Sequence, residues 1–455
     1  MMECDNALCD PRLCSIECVD ACVEVHGTDA PLGYSKGDST PKLGDGCTNC
    51  LRCVRACPRG AITSVKVKPA KALSANARVS KSSTPERPYS VSDDFGQFSE
   101  ADMIFARVHN DPEFEFYHKN EWFGSEEMVN KNIPGYNLFE LEMSVAGWKL
   151  YDWRKAVTGP PLKDVDIRTR DEIPKEKDPA QLTSYVKGAA RFFGASLVGF
   201  AAIDRRWLYS ADRNNDAYNI PESFNRAIVM AIEMDYDGIS TSPAFPASSS
   251  TALGYSKMAF TEIELSAFIR RLGYGAIPCG NDVALSVPLA IDAGLGQYGR
   301  HGLLITKEFG PRVRIAKVLT DMPLLTDTPD NGFCKAVIKF CETCEKCADT
   351  CPSQSIPYGK EQTWDGPTRS NNPGIKKWFV NAETCYGFWV ENGSDCSNCI
   401  RSCPYNKRNG LLHRFILWVV QNLPWLNRLV IRMDDLFGYG TQREPHSFWR
   451  KFHNR

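Results

Sequence analysis

The sequence predicts an α+β protein: a core of mixed helices and strands with a cysteine-dense unit on either side. Three observations carry this. Of 19 cysteines, nine lie between Cys4 and Cys57 and nine between Cys334 and Cys403, with Cys279 alone between them. From residue 89 to residue 330, apolar runs of strand length alternate with runs at helical spacing, the pattern of a sheet with helices on its faces. The chain has 455 residues, 43 % hydrophobic, enough for two or three domains and a sizeable buried core. Charges nearly cancel, 54 Lys+Arg against 55 Asp+Glu, which leaves no basic excess to grip a nucleic acid. The expected partners are small molecules and proteins.

Residues 1–67 form the first cysteine-dense unit, closing on "RGAITSVKVK", whose last stretch reads as a short strand. Residues 68–88 are basic and rich in Ala, Ser and Pro, a linker. In the core, "LTSYVKGAARFFG" reads as a helix stopped by Gly194, and "SLVGFAAID" as a buried strand after it. "AIVMAIEMD" and "GLLITKEF" are further strands. "SKMAFTEIELSAFIRRLG" has Met258, Leu265, Phe268, Ile269 and Leu272 at helical spacing and a stop at Gly273, which places Tyr255 at a helix N-terminus. Residues 331–410 form the second cysteine-dense unit. In the tail, 411–455, the apolar run "FILWVVQNLPWLNRLVI" is broken by Gln421, Asn422, Pro424, Asn427 and Arg428, so it reads as an amphipathic helix pair rather than a membrane span. No signal peptide precedes Cys4, and thiols in such number imply a reducing compartment, so the expected location is cytoplasmic or peripheral to the membrane.

The spacing of the thiols identifies their chemistry. Cys341, Cys344, Cys347 and Cys351-Pro352 make C-x2-C-x2-C-x3-C-P, the bacterial ferredoxin run that holds a 4Fe-4S cluster and sends its fourth cysteine to a second one. The partner set is Cys385, Cys396, Cys399 and Cys403. Crossing the fourth ligands gives Cys341, Cys344, Cys347 and Cys403 for one cluster, and Cys351, Cys385, Cys396 and Cys399 for the other. The same logic in the first unit gives Cys9, Cys14, Cys18 and Cys57 for one cluster and Cys22, Cys47, Cys50 and Cys53 for its partner. Both units are therefore ferredoxin-like, with two clusters each. Zinc also takes four thiolates, but usually as two C-x2-C pairs a dozen or more residues apart. Cys4, Cys279 and Cys334 remain as free thiols.

Clusters pass single electrons and need an acceptor. The G-x-G-x-x-G run "GLGQYG" lacks the helix that a dinucleotide site requires after it, and no P-loop occurs. Instead, "IPCGNDVALSVPLAIDAGLGQYGRHGLLITKEFGPRVRIAKVLTDMPL", with "LVGFAAIDRRWLYS", "FCETCEKCADTCPSQSI" and "CYGFWVENGSDCSNCIRSCPYNK", closely resembles the corrinoid-dependent reductive dehalogenases, from Arg87 to the tail. The resemblance implies a nitroreductase-like core over residues 89–330. It also implies a base-off corrinoid, without a protein histidine on cobalt, reduced through two 4Fe-4S clusters. The absence of a D-x-H-x-x-G run, which would supply such a histidine, agrees.

By that resemblance Tyr255 is the proton donor, Arg314 in "GPRVRIAKV" its charged neighbour, and Asn281 in "CGNDV" a polar group that orients it or the halide. A phenol, with an ordinary pKa near ~10, is a poor acid unless its anion is favoured, and both a guanidinium and a helix N-terminus favour it. Arg312, two residues from Arg314, competes for the same role. Ser286, Pro288, Gly294, Gly296, Gly299, His301 and Gly302 are the implied corrinoid contacts, His301 toward its nucleotide tail. The implied substrate is a small organohalide, and the implied donor is a reduced ferredoxin, a flavodoxin-like protein or a reductase. Respiratory members carry a twin-arginine export signal, which is not found here, and the extra N-terminal unit suggests that electrons enter through it, pass to the C-terminal pair and reach the corrinoid. Epoxyqueuosine reductase and a non-catalytic electron carrier are the competing functions; near-neutral charge argues against the first, and the size of the core against the second.

Overall fold

The computed structural model describes residues 87–119, 126–158 and 178–453, and before them residue 19 and the stretches 2–4, 32–33, 42–43 and 62–64. The chain divides into two compact units, Met1–Ser83 and Thr84–Arg455. The first carries β1 (Met2–Cys4), β2 (Leu32–Gly33), β3 (Lys42–Leu43) and β4 (Ile62–Ser64), paired antiparallel as β1 with β4 and β2 with β3. Strand β4 falls within "RGAITSVKVK". The expected ligands Cys9, Cys14, Cys18, Cys22, Cys47, Cys50, Cys53 and Cys57, and most of the 68–88 linker, lie outside the described residues.

The second unit is built on a sheet of β5 (Leu197–Ala202), β6 (Arg226–Glu233), β7 (Ala276–Cys279) and a later strand, β10 (Val313–Thr320). The strand order is β5-β6-β10-β7, and every neighbouring pair is antiparallel. Side chains alternate across a strand. In β6 one face is Ala227, Val229 and Ala231, and the other Ile228, Met230 and Ile232, all buried, so both faces carry a core. On the second face lie helices α2 (Leu138–Thr158), α3 (Pro179–Phe192) and α4 (Phe245–Arg271), with Leu182, Val186, Met258, Leu265 and Ile269 against the sheet. On the first lie α5 (Ser286–Asp292), with Leu289 and Ile291, and the buried Trp207.

Two expectations need correction. "GLLITKEF" contributes only β9 (Leu304–Ile305), paired with β8 (Gln297–Tyr298). A left-handed Gly302 (φ +71°) turns the chain before it, and a Thr306–Gly310 bridge closes it. Helix α4 begins at Phe245, ten residues before Tyr255, with Pro246 in its first turn. Its opening run carries Ser248, Ser249, Ser250 and Thr251 in succession, residues that by themselves favour caps and turns. Here Ser249 and Ser250 donate to the carbonyls of Phe245 and Pro246 one turn back, and the small side chains let neighbours close in. A Cβ on Gly147 would stand 2.9 Å from that of Ala252.

The C-terminal part carries α6 (Asn331–Cys341), α7 (Lys346–Asp349), α8 (Ala382–Asn392), α9 (Asn398–Ser402), α10 (Leu411–Asn422) and α11 (Asn427–Leu436). Asp330 caps α6 by accepting the Phe333 N–H at 3.0 Å. The tail forms a helix pair, whose Val420 and Val430 pack with Phe340, Cys341 and Cys403 while Leu411, Trp418 and Trp425 face outward. No described helix is long and apolar enough to cross a membrane.

Candidate active site

The unit encloses a cleft of about 1620 Å³ between atoms, counting its mouth. Its walls come from α4 (Thr251, Tyr255), β10 (Arg314), α2 (Trp148), α1 (Ile104–Asn110), the turn at His301–Leu303, the segment 371–380 and α8. The remaining wall holds Cys351, Cys385, Cys396 and Cys399.

Tyr255 lies in the middle of α4, not at its N-terminus, so no helix dipole acts on its hydroxyl; a dipole is felt only within the first turn. Neighbouring side chains surround it instead. Trp148 stacks on the Tyr255 ring at 4.7 Å between centroids and an angle of 28°, and the Arg314 guanidinium lies 4.7 Å from the same ring centroid. The Asn281 side-chain amide donates to the Tyr255 Oη at 3.0 Å. Arg314 donates to Thr251 at 3.3 Å, and its Nε, also buried, has no partner. Arg312 is separate from this group: it donates to Asn406, Glu233 and the Met234 carbonyl, and so ties the sheet to the C-terminal part.

The loop carrying Asn281 is clamped from beneath. Arg154 of α2 donates to both oxygens of Asp282 at 2.7 and 3.0 Å and pairs with the fully buried Glu262. Asp282 accepts the Gly280 N–H at 2.8 Å, and Lys317 donates to the Gly280 carbonyl and to Ser286. Burial pushes the Glu262 carboxyl up to about 7, against the pull of the Arg154 charge. Val283 next in sequence has φ +68°, a left-handed backbone that a β-branched residue adopts at a cost of about 1–3 kcal/mol.

Of the implied corrinoid contacts, His301 and Gly302 line the cleft. Ser286 is engaged by Lys317, Pro288 is buried in α5, and Gly294, Gly296 and Gly299 pack against Thr328, Ile305 and His301. Burial pulls the His301 imidazole down to about 4, and its Nδ1 accepts the Leu303 N–H at 3.2 Å. The neutral ring therefore carries its proton on Nε2, a buried atom without a partner. It is a hydrogen-bond donor and not a metal ligand.

Burial first, then one another's charge, pushes the C-terminal thiols up: Cys403 feels Cys341 and Cys344, Cys347 feels Cys341, Cys403, Cys399 and Cys344, Cys385 feels Cys396 and Cys351, and Cys399 feels Cys396, Cys385, Cys351 and Cys403. The eight thiols thus form two adjoining groups that meet at Cys347, Cys399 and Cys403. Burial raises Cys341 and Cys396 to about 11 and Cys344 and Cys385 to about 12, so ligation must bring its own positive charge, as iron does. Among the described residues no three ligating side chains converge closely enough for a single metal ion. Arg300, fully buried, donates to the Cys341 and Cys344 carbonyls and fixes the first ligand loop. Cys279 and Cys334 are buried thiols whose Sγ donate to the carbonyls of Ile277 and Gly296. Trp148, Thr251, Lys377 and Asp395 escape the sequence reading, since nothing local marks a residue that reaches a cleft from a distant element.

The family described as a 4Fe-4S dicluster domain matches residues 340–407, and that of a 4Fe-4S binding domain matches residues 45–63. The tetrachloroethene reductive dehalogenase of Sulfurospirillum multivorans is 39 % identical over 61 % of this chain and 60 % of its own length. That of Desulfitobacterium hafniense is 36 % identical over 65 % and 60 %. Epoxyqueuosine reductase of Atelocyanobacterium thalassa is 29 % identical over 26 % of this chain. Among solved structures, a catabolic reductive dehalogenase in complex with 3-bromo-4-hydroxybenzoic acid aligns over 78 % of this chain and 48 % of its own, with a TM-score of 0.61 and 23 % identity, a likeness of fold. The chain thus spans three-fifths of the curated relatives and about half of that structure. Tyr255, Arg314, Asn281 and the eight C-terminal thiols sit on a chain that, over about three-fifths of its length, is similar to the tetrachloroethene reductive dehalogenases.

Proposed function

We propose that this protein is a reductive dehalogenase, which removes halide from a small organohalide with a base-off corrinoid held in a nitroreductase-like core and reduced through 4Fe-4S clusters. One observation carries the reading: a single cleft is walled on one side by Tyr255 and Arg314 and on another by the thiols Cys351, Cys385, Cys396 and Cys399. A cluster held by those four thiols would border the cleft directly. A flat, amide-rimmed macrocycle suits a cleft that is mostly apolar and offers buried polar atoms without partners on His301, Arg314, Asn372 and Trp378. Gly302, Leu303, Phe379 and Val380 would lie along it.

When bound, the corrinoid supplies low-potential electrons to the carbon-halogen bond. The protein's part is the proton. Asn281 donates to the Tyr255 Oη, which leaves the phenolic O–H free to point into the cleft. As the proton leaves for the dehalogenated carbon, Arg314 and Asn281 stabilise the phenolate. Trp148 and Tyr151, packed on the Tyr255 ring, fix its position. The eight C-terminal cysteines would hold two 4Fe-4S clusters, one on the 341/344/347/403 group and one on the 351/385/396/399 group, and these would supply electrons one at a time. Purified anaerobically and loaded with cobalamin, the protein should contain one cobalt and about eight C-terminal irons. It should release chloride or bromide from a panel of halogenated alkenes and phenols with reduced viologen as donor. Failure to release halide from any member of the panel, with turnover of epoxyqueuosine instead, would reject the reading.

A further inference from the structure

The segment 371–380 holds a charge in the cleft lining that the mechanism does not use. Lys377 lines the cleft, is 8 % exposed and has Tyr298 and Phe379 rings at 5.1 and 4.7 Å. Its ammonium donates to Asn372 Oδ1 at 3.2 Å. Among the described residues no carboxylate compensates it: burial alone pulls it down to about 7. Two aromatic faces and one amide oxygen return less than a buried ammonium loses on leaving water.

The same cleft lining holds donors without acceptors. The Asn372 Nδ2 is buried and unpartnered, its oxygen being spent on Lys377. His301, 4 % exposed, carries its proton on an unpartnered Nε2. The two segments adjoin, for a Cβ on Gly302 would lie 3.5 Å from Val380 Cγ2. A cation with neutral donors beside it and no acceptor is complementary to an anion that offers only acceptors. The side chains of a corrinoid ring are neutral amides, and the one fixed anion of the molecule is the phosphodiester of its nucleotide tail.

We propose that Lys377, Asn372 and His301 form a phosphate-binding subsite that takes the phosphodiester of the corrinoid's nucleotide tail. This rests on the corrinoid reading above and adds the place and polarity of the tail. The ammonium and the two N–H groups would donate to the phosphate oxygens, so the subsite would set which end of the cleft the tail enters and select complete corrinoids over tail-less precursors.

The test is binding. The full chain, with its clusters and without corrinoid, is titrated anaerobically with cobinamide, which lacks the phosphate, and with cobinamide phosphate, followed by equilibrium dialysis and visible absorbance. The native chain should bind cobinamide phosphate about ten- to a hundredfold more tightly, the scale of a charge-assisted contact. Lys377→Met should bind both at the native cobinamide level, and Lys377→Arg should keep the preference. Asn372→Asp sets a competing carboxylate beside the amine and should also lose it; that variant carries the test if Lys377→Met fails to assemble its clusters. A preference that survives Lys377→Met and Asn372→Asp overturns the subsite. So does free inorganic phosphate that tightens cobinamide binding to the cobinamide phosphate level, which would make the site one for a free anion. If the native chain binds neither compound, it is the corrinoid reading that fails.

Discussion

Replacing Arg314 with methionine removes a positive charge 4.7 Å from the Tyr255 ring centroid and leaves a side chain of similar length. A unit charge at that distance stabilises an anion by about 3.5 kcal/mol at an effective dielectric of about 20. Arg314 is half-buried, and solvent screening brings this to about 2 kcal/mol, or about thirtyfold in the rate of a step that makes phenolate. The Asn281 hydrogen bond, worth about 1 kcal/mol, remains. The assay is halide release under saturating reduced viologen, in H2O and in D2O. Arg314→Met should lower kcat about thirtyfold with KM changed less than threefold, and the solvent isotope effect should grow as proton transfer becomes limiting. Arg314→Lys should fall between. A loss expressed in KM alone, or a loss in kcat at an unchanged isotope effect, would show that Arg314 serves binding or folding rather than the phenolic proton.

Other outcomes follow from the same geometry. Burial holds the Glu262 carboxyl protonated up to about pH 7, while in the unfolded chain it ionises near 4.5. Between those values the folded state binds the extra proton, so stability should fall by about 3 kcal/mol as pH rises from 4.5 to 7. Denaturation at a series of pH values should show that slope, and Glu262→Gln should flatten it. Arg154→Met strands Asp282 and Glu262 without their counter-charge and should cost about 3–5 kcal/mol by denaturant titration. Deleting residues 1–67 should abolish turnover with a cellular donor and leave turnover with viologen; loss of both would reject entry through the N-terminal unit.

What could be read from the sequence and what could not divides along a physical line. Cysteine spacing is local, since one short loop wraps one cluster, and the thiols at 341–351 announce themselves. So do the end of α4, where Gly273 takes a φ of +86°, and the buried strands β5 and β6, whose side chains are apolar on both faces. The beginning of α4 is not local. Its serines are helical because their hydroxyls bond back to carbonyls and because close neighbours need small side chains, and neither reason is visible before the packing is known. Arg312 and Arg314 are indistinguishable in an extended strand, and only the position of the C-terminal part, which supplies Asn406 to Arg312, separates them. Trp148 lies more than two hundred residues from Lys377 and Asp395 in sequence, yet all three line one cleft, and no pattern within a window predicts that.

In the proposed function the segment Asp395–Cys399 has two duties at once, since it forms part of the cleft lining while Cys396 and Cys399 would hold a cluster. Tuning which molecule fits and tuning the voltage at which electrons arrive therefore draw on the same few positions. A variant selected for a bulkier guest in this stretch should arrive with an altered midpoint potential, so that selectivity and driving force would drift together under selection.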